Sequence, residues 1–147
     1  MTDYRERVWP AAWVYLATAL VIPASLLVFL PINLLAGAIT AVVLYGGCLA
    51  LLAYGAPVLR IEEGVLTAGR ARLPLTAVGE VTAYEGEEAT LERGRRLDAR
   101  AWLLIRGWVS PVVKVEVVDP EDPTPYWLVS TRRPHDIVAA VEAARRA

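Results

Sequence analysis

The residues able to do chemistry in this chain are few. His135 is the only histidine, and it follows Pro134 at what reads as a helix start. A general base there needs a nucleophile or carboxylate delivered by the fold, and the sequence identifies none. Asp119, Glu121 and Asp122 offer hard oxygen donors of the kind Ca²⁺ or Mg²⁺ takes. Their spacing matches no EF-hand loop, and Pro120, Pro123 and Pro125 stiffen the segment into a turning connection instead. The single Cys48 lies in an apolar stretch, where it forms no disulfide framework or thiolate site and serves as a small apolar filler. No Walker-type glycine loop, G-x-S-x-G elbow, H-E-x-x-H or paired C-x-x-C occurs. The expectation is a protein with no catalytic, cofactor-binding or metal-ligating residues, and with no cofactor.

What remains is arginine and lysine interleaved with aromatics. If Arg100–Val109 is a strand, Trp102, Arg106 and Trp108 share one face with Arg100 and Leu104. The opposite face, Ala101, Leu103, Ile105, Gly107 and Val109, reads as the core face. Lys114 points with Glu116 on the next strand, while Tyr126, Trp127, Arg132 and Arg133 follow in the last strand and its exit. Arginine forks match carboxylates and phosphates, and aromatics suit interfaces. Trp102, Arg106, Trp108, Lys114, Tyr126, Trp127, Arg132 and Arg133 are therefore the expected contact surface. After Leu59 the chain has 13 Lys and Arg against 14 Asp and Glu, so composition offers no polybasic field and no nucleic-acid stripe.

These residues are carried by two very different regions. The chain of 147 residues is 56% hydrophobic, too apolar for an ordinary soluble domain, and the excess is localised. Val8 to Leu59 contains no Asp, Glu, Lys, Arg or His. A span needs roughly 20 apolar residues, so this block fits two transmembrane helices, 8–30 and 34–54, turning at Leu30–Asn33. Pro23 should kink the first. Gly37, Gly46 and Gly47, among many alanines, give the second a small-residue surface suited to helix contact and to an oligomer. An uncleaved hairpin fits better than a signal peptide, because the run is long and a second apolar stretch follows at once. Arg5 and Arg7 before the spans, and Arg60, Arg70 and Arg72 after them, place both termini in the cytoplasm and the protein as multi-pass in the plasma membrane. Trp9, Trp13, Tyr15 and Tyr54 fit an interfacial belt.

Beyond the hairpin the apolar residues alternate. Val58–Gly64 and Val65–Gly69 read as strands joined at a Glu-Gly turn, followed by Ala71–Leu75, Ala77–Gly86, Arg100–Val109, Val112–Val118 and Pro125–Thr131. Residues 89–99 form a polar connection with no assigned element. Pro134–Arg146 has apolar residues at helical spacing, with Pro134 in the first turn. The expected fold is a membrane α-helical hairpin followed by a small β-rich α+β domain. Its parts are a cytoplasmic segment 1–7, the hairpin 8–56 and a cytoplasmic domain 57–147.

LRIEEGVLTAGRARLPLTAVGEVTAYE, residues 59–85, resembles the opening of bacterial pleckstrin-homology-like domains, which implies a bent sheet or partial barrel capped by the C-terminal helix. YRERVWP, RRLDARAW and RGWVSPVVKVEVVDPEDPTPYWLVSTRRP resemble an actinobacterial family of small two-span membrane proteins of unknown function. That second resemblance covers nearly the whole chain and implies no activity. The expected role is a membrane-held adaptor or regulatory contact domain for a protein partner or lipid headgroups. The alternatives are an enzyme or subunit acting on a membrane substrate, and a structural subunit of a larger membrane complex.

Overall fold

The computed structural model describes residues 4–147, so positions 1–3 of the expected 1–7 segment lie outside the described residues. The chain divides into two compact units, Trp9–Ala56 and a second made of the residues up to Val8 together with Pro57–Ala147.

The first unit is helical. α1 (Ala12–Ala19) and α2 (Val21–Phe29) form one apolar stretch of 18 residues interrupted at Leu20. The interruption has a covalent cause: Pro23 has no N–H to give the carbonyl four residues back, and its ring crowds that carbonyl. α3 (Leu34–Tyr54) is an unbroken helix of 21 residues. Asn33 caps it, its Oδ1 accepting from the N–H groups of Leu35 at 2.9 Å and Ala36 at 3.4 Å, which satisfies two of the orphan donors of a helix start. At 1.5 Å per residue the two stretches are about 27 and 31 Å long, and both are long and apolar enough to cross a membrane. Large side chains such as Leu16, Leu27, Val42 and Leu51 are exposed along them. Gly37 and Ala41 are buried; a Cβ on Gly37 would lie 3.0 Å from Phe29 Cβ, so this part of the small-residue surface serves the hairpin itself.

The second unit begins before the helices. β1 (Tyr4–Arg7) pairs antiparallel with β2 (Val58–Glu62), Tyr4 opposite Ile61 and Arg7 opposite Val58. Residues 4–7 are thus an edge strand of the β-rich unit and not a separate segment, and both chain ends of the helical hairpin leave from adjacent strands. β3 (Val65–Ala68) and β4 (Ala71–Pro74) complete a four-stranded meander. Its first hairpin turns at Glu63 and Gly64 with φ of 49° and 74°, the two left-handed residues that a tight hairpin loop of matching twist requires.

A 3-10 turn at Leu75–Ala77 leads into the second sheet, built from β5 (Val78–Tyr84), β6 (Trp102–Leu104), β7 (Val112–Val117) and β8 (Tyr126–Ser130) in the order β5-β7-β8-β6. β6 runs parallel to β8 and the other pairs are antiparallel. The inner faces of both sheets share one core with α5 (Pro134–Arg146): Leu59, Ile61, Leu66 and Leu73 meet Val113, Val115, Trp127, Val129, Ile137 and Val141. Every residue of β8 is buried, because its outer face is covered too, Tyr126 and Leu128 clustering with Val112 and Ala89. Ala89 belongs to α4 (Gly86–Arg93), a helix within a region whose polarity hid it. Glu87 and Glu88 in its first turn and Arg93 in its last suit the helix dipole.

The strand expected over Arg100–Val109 is only Trp102–Leu104, and its faces are reversed. Trp102 and Leu104 pack against the core, while Leu103 is 43% exposed. The cause is register: Trp102 sits opposite Trp127, their ring centroids 4.6 Å apart and tilted by 43°. Pairing ends where Arg106 N–H turns to Ser130 Oγ at 2.9 Å and Val109 N–H closes on the Arg106 carbonyl.

Candidate contact surface

The eight residues expected to form one surface do not come together. Trp127 is buried, and Trp102 and Trp108 pack against the same core; Trp108 Nε1 is buried with no hydrogen-bond partner among the described residues. Arg106 lies on the connection after β6, its guanidinium donating to the Ile105 carbonyl at 3.1 Å. Lys114 and Tyr126 lie on the outer face of the second sheet. Arg132 and Arg133 flank the N-terminal strand. Adjacent residues Tyr126 and Trp127 go to opposite faces by strand alternation alone.

On the outer face of the second sheet, Glu80, Thr82 and Tyr84 of β5, Lys114 and Glu116 of β7, and Tyr126 line an open groove of about 360 Å³. Glu92 of α4, only 3% exposed, receives Lys114 Nζ at 3.0 Å and Arg96 at 3.3 Å. Lys114 Nζ also lies 4.4 Å from the Tyr126 ring centroid, in cation–π reach. Burial alone would lower the Lys114 ammonium, but the hydrogen bond and charge of Glu92, aided by Tyr126 and Tyr84, hold it above its ordinary value. The Tyr126 hydroxyl accepts from Asp98 N–H at 2.8 Å, and Asp98 pairs with Arg100 at 2.9 Å. The Arg100 hydrogen bonds lower the Asp98 carboxyl to about 2. These are closed pairs, in which each charge already has a partner.

A second cluster joins the ends of the β-rich unit. Glu6, 7% exposed, accepts from Thr131 Oγ1 at 2.5 Å, Arg132 N–H at 3.0 Å and Tyr4 Oη at 2.9 Å. Thr131 Oγ1 in turn accepts from Arg133 N–H at 3.0 Å. Arg133 donates to the Arg5 carbonyl at 3.1 Å and stands 5.2 Å from the Tyr4 ring centroid. Burial, then the charge and hydrogen bond of Glu6, push the Tyr4 phenol well above its usual range, against the opposing pull of Arg133. The arginines of the STRRP stretch therefore hold the N-terminal strand in place.

A third cluster was not on the expected surface. Across the first sheet, Arg5 sits opposite Arg60, Arg60 opposite Thr67 and Thr67 opposite Arg72. One row of cross-strand neighbours thus reads Arg-Arg-Thr-Arg on the face away from the core. With Arg70 from the β3–β4 turn, and with Val58 and Gly69, these residues line an open groove of about 410 Å³. Arg60 has an ion pair with Glu62 at 3.1 Å. Arg5, Arg70 and Arg72 have no carboxylate at ion-pair distance among the described residues. The near balance of charge after Leu59 concealed this segregation: Glu80, Glu85, Glu87, Glu88, Glu92 and Glu116 all belong to β5, α4, β7 or the residue between β5 and α4.

His135 is exposed and faces Glu85 Oε1 at 3.7 Å. Asp119 and Asp122 accept from the N–H groups of Glu121 at 3.0 Å and Thr124 at 2.9 Å, which folds the acidic segment on itself and holds the Asp122 carboxyl below its ordinary value. No group of three metal-ligating side chains occurs among the described residues.

Fold and surfaces together define a small β-rich unit whose first two strands bracket a pair of long apolar helices. Residues 3–141 match the family described as "Protein of unknown function (DUF3093)", and the chain belongs to that family. No curated protein and no solved structure matches the chain.

Proposed function

We propose that this protein is a membrane-anchored contact module. α1–α2 and α3 cross the bilayer as a hairpin, and the β-rich unit works at the cytoplasmic face, binding without catalysis. The observation that carries this reading is the β1–β2 pairing. Two spans that begin and end on hydrogen-bonded neighbouring strands support a hairpin that returns to the side it left, with both termini on one side, and Arg5, Arg7, Arg60, Arg70 and Arg72 favour the cytoplasm as that side. Anchoring raises the effective concentration of the domain for anything at the membrane surface. Two sheets closed by a C-terminal helix also support kinship with pleckstrin-homology-like domains, with the parallel β6–β8 edge as a departure from a simple meander.

The test is topology mapping of the full chain by cysteine accessibility, with Cys48 replaced and single cysteines placed at Thr2, Asn33 and Ala147. Labelling of Asn33→Cys from outside, protection of the two terminal cysteines, and retention in the membrane after alkaline carbonate washing are expected. Release by carbonate, or labelling of a terminal cysteine from outside, refutes the reading.

A further inference from the structure

We propose that the arginine row of the first sheet is a binding site for anionic phospholipid headgroups. The inference rests on the membrane-anchored reading above and adds the ligand to it.

Like charges directly opposite one another on neighbouring strands destabilise a sheet. Here Arg5 and Arg60 are direct partners, Arg72 continues the row beyond Thr67, and Arg70 closes the groove at the turn. Among the described residues, Arg60 alone in this row is offset by a carboxylate, Glu62. The opposite side chains of the same strands, Leu59, Ile61, Leu66, Ala68 and Leu73, are buried core, so the register that fills the core forces the arginines together. Such a row conflicts with folding locally, and conflicts of this kind are characteristic of functional sites. An anion in the groove resolves it.

Arginine is suited to that anion. Its guanidinium is planar, always charged and able to grip phosphate oxygens with two parallel N–H groups. Thr67, in the middle of the row, adds a hydroxyl. Three or four guanidiniums in an open groove of about 410 Å³ complement a negatively charged phosphodiester headgroup and not a zwitterionic one.

Connectivity selects the lipid as the source. Arg5 precedes the first residue of α1 by seven positions, and Arg60 follows the last residue of α3 by six. At about 3.5 Å per extended residue, neither can lie more than about 25 Å along the chain from its helix end. Neighbouring strands are about 4.8 Å apart, so Arg72 is held close to Arg60. A groove on so short a lead operates at the high local concentration of headgroups.

The experiment uses the purified full chain in zwitterionic detergent micelles, titrated separately with a short-chain phosphatidylglycerol, the matching phosphatidylcholine, and inorganic phosphate. Bound lipid is read by native mass spectrometry. The wild-type chain should retain phosphatidylglycerol over phosphatidylcholine, and the preference should fall when salt rises from about 0.1 M to about 1 M. At about fivefold per arginine, the triple substitution R5Q/R60Q/R72Q should lower phosphatidylglycerol affinity about a hundredfold, while R5K/R60K/R72K, which keeps the charge but not the two-pronged grip, should lose less than the glutamine variant. Without anionic lipid, Arg5→Gln should leave the unfolding midpoint unchanged or raise it, since it removes a cross-strand repulsion. Equal retention of the two lipids, or a preference that survives the triple glutamine variant, overturns the proposal. Displacement of phosphatidylglycerol by an equal concentration of inorganic phosphate also overturns it, by assigning the groove to a free anion. Carbonate release of the wild-type chain would instead sink the anchored reading, so the two failures are distinguishable.

Discussion

Removing the Glu6 carboxylate should detach the strand that precedes the hairpin. Glu6→Ala deletes an acceptor that is 7% exposed and serves Thr131 Oγ1, Arg132 N–H and Tyr4 Oη. Hydrogen bonds to a charged group contribute about 1.5–3 kcal/mol each. The half-buried Tyr4 hydroxyl recovers water when Glu6 is gone, so its bond counts for little. Thr131 is 0% exposed and, with the Arg132 N–H beside it, recovers much less. Two such bonds give a loss of about 3–6 kcal/mol, a large share of a typical domain stability of about 5–15 kcal/mol. Glu6→Gln keeps the shape and one acceptor oxygen and should lose about 1–2 kcal/mol. Denaturant unfolding of the full chain in detergent, followed by tryptophan fluorescence, measures the loss. Hydrogen exchange locates it, with protection falling first at Tyr4–Val8 and Thr131–Arg133. A Glu6→Ala midpoint within about 0.5 kcal/mol of wild type, or unchanged exchange at those segments, refutes the claim that this carboxylate ties the N-terminal strand down.

Gly79→Ala would place a Cβ 2.7 Å from Val118 Cγ1 and 3.0 Å from Glu116 Cβ at the irregular start of β5, and overpacking of this kind should cost about 1–3 kcal/mol in a denaturant titration. Trp127→Ala should cost about 3–5 kcal/mol, since Trp127 is 5% exposed on a doubly covered strand, whereas the exposed Arg133→Ala should cost under about 1 kcal/mol; equal losses would contradict the division of these residues between core and surface. Tyr4 and Lys114 both hold their protons more tightly in the folded chain than their ordinary values of 10.0 and 10.5. Their contribution is therefore complete below about pH 10 and is lost as pH rises further. The unfolding midpoint should fall as pH rises above about pH 10, less steeply in a Tyr4→Phe/Lys114→Met variant, and equal slopes for the two proteins would refute this.

The two apolar helices were legible because their physics is one-dimensional: length and absence of charge suffice, and α3 begins and ends where the apolar run and Asn33 put it. The Glu-Gly hairpin, β7 and α5 were legible for the same reason, each carrying its own periodicity or turn chemistry. What could not be read locally was set by partners distant in sequence. The Trp102 face follows from a parallel register with β8 that only tertiary packing fixes, and α4 is polar on all sides but the strip that covers Tyr126 and Leu128.

The N-terminal strand is the most instructive case, because its period-2 signal was present. Tyr4, Glu6 and Val8 turn inward while Arg5 and Arg7 turn outward, as alternation requires. A glutamate in an inward position disguises the pattern, since an ionised carboxylate belongs in a core only when its hydrogen bonds are supplied. Those bonds come from Thr131 and Arg132, at the far end of the chain. The same strand placement that buries Glu6 sets Arg5 beside Arg60. Arg5, Arg60 and Arg72, which read in sequence as scattered juxtamembrane charges, therefore become, through the successive pairings of β1 to β4, a row across a single face, with Arg70 at the turn beside it. The buried carboxylate and the arginine row are two consequences of one register: a shift of one residue would expose Glu6 and turn Arg5 into the core.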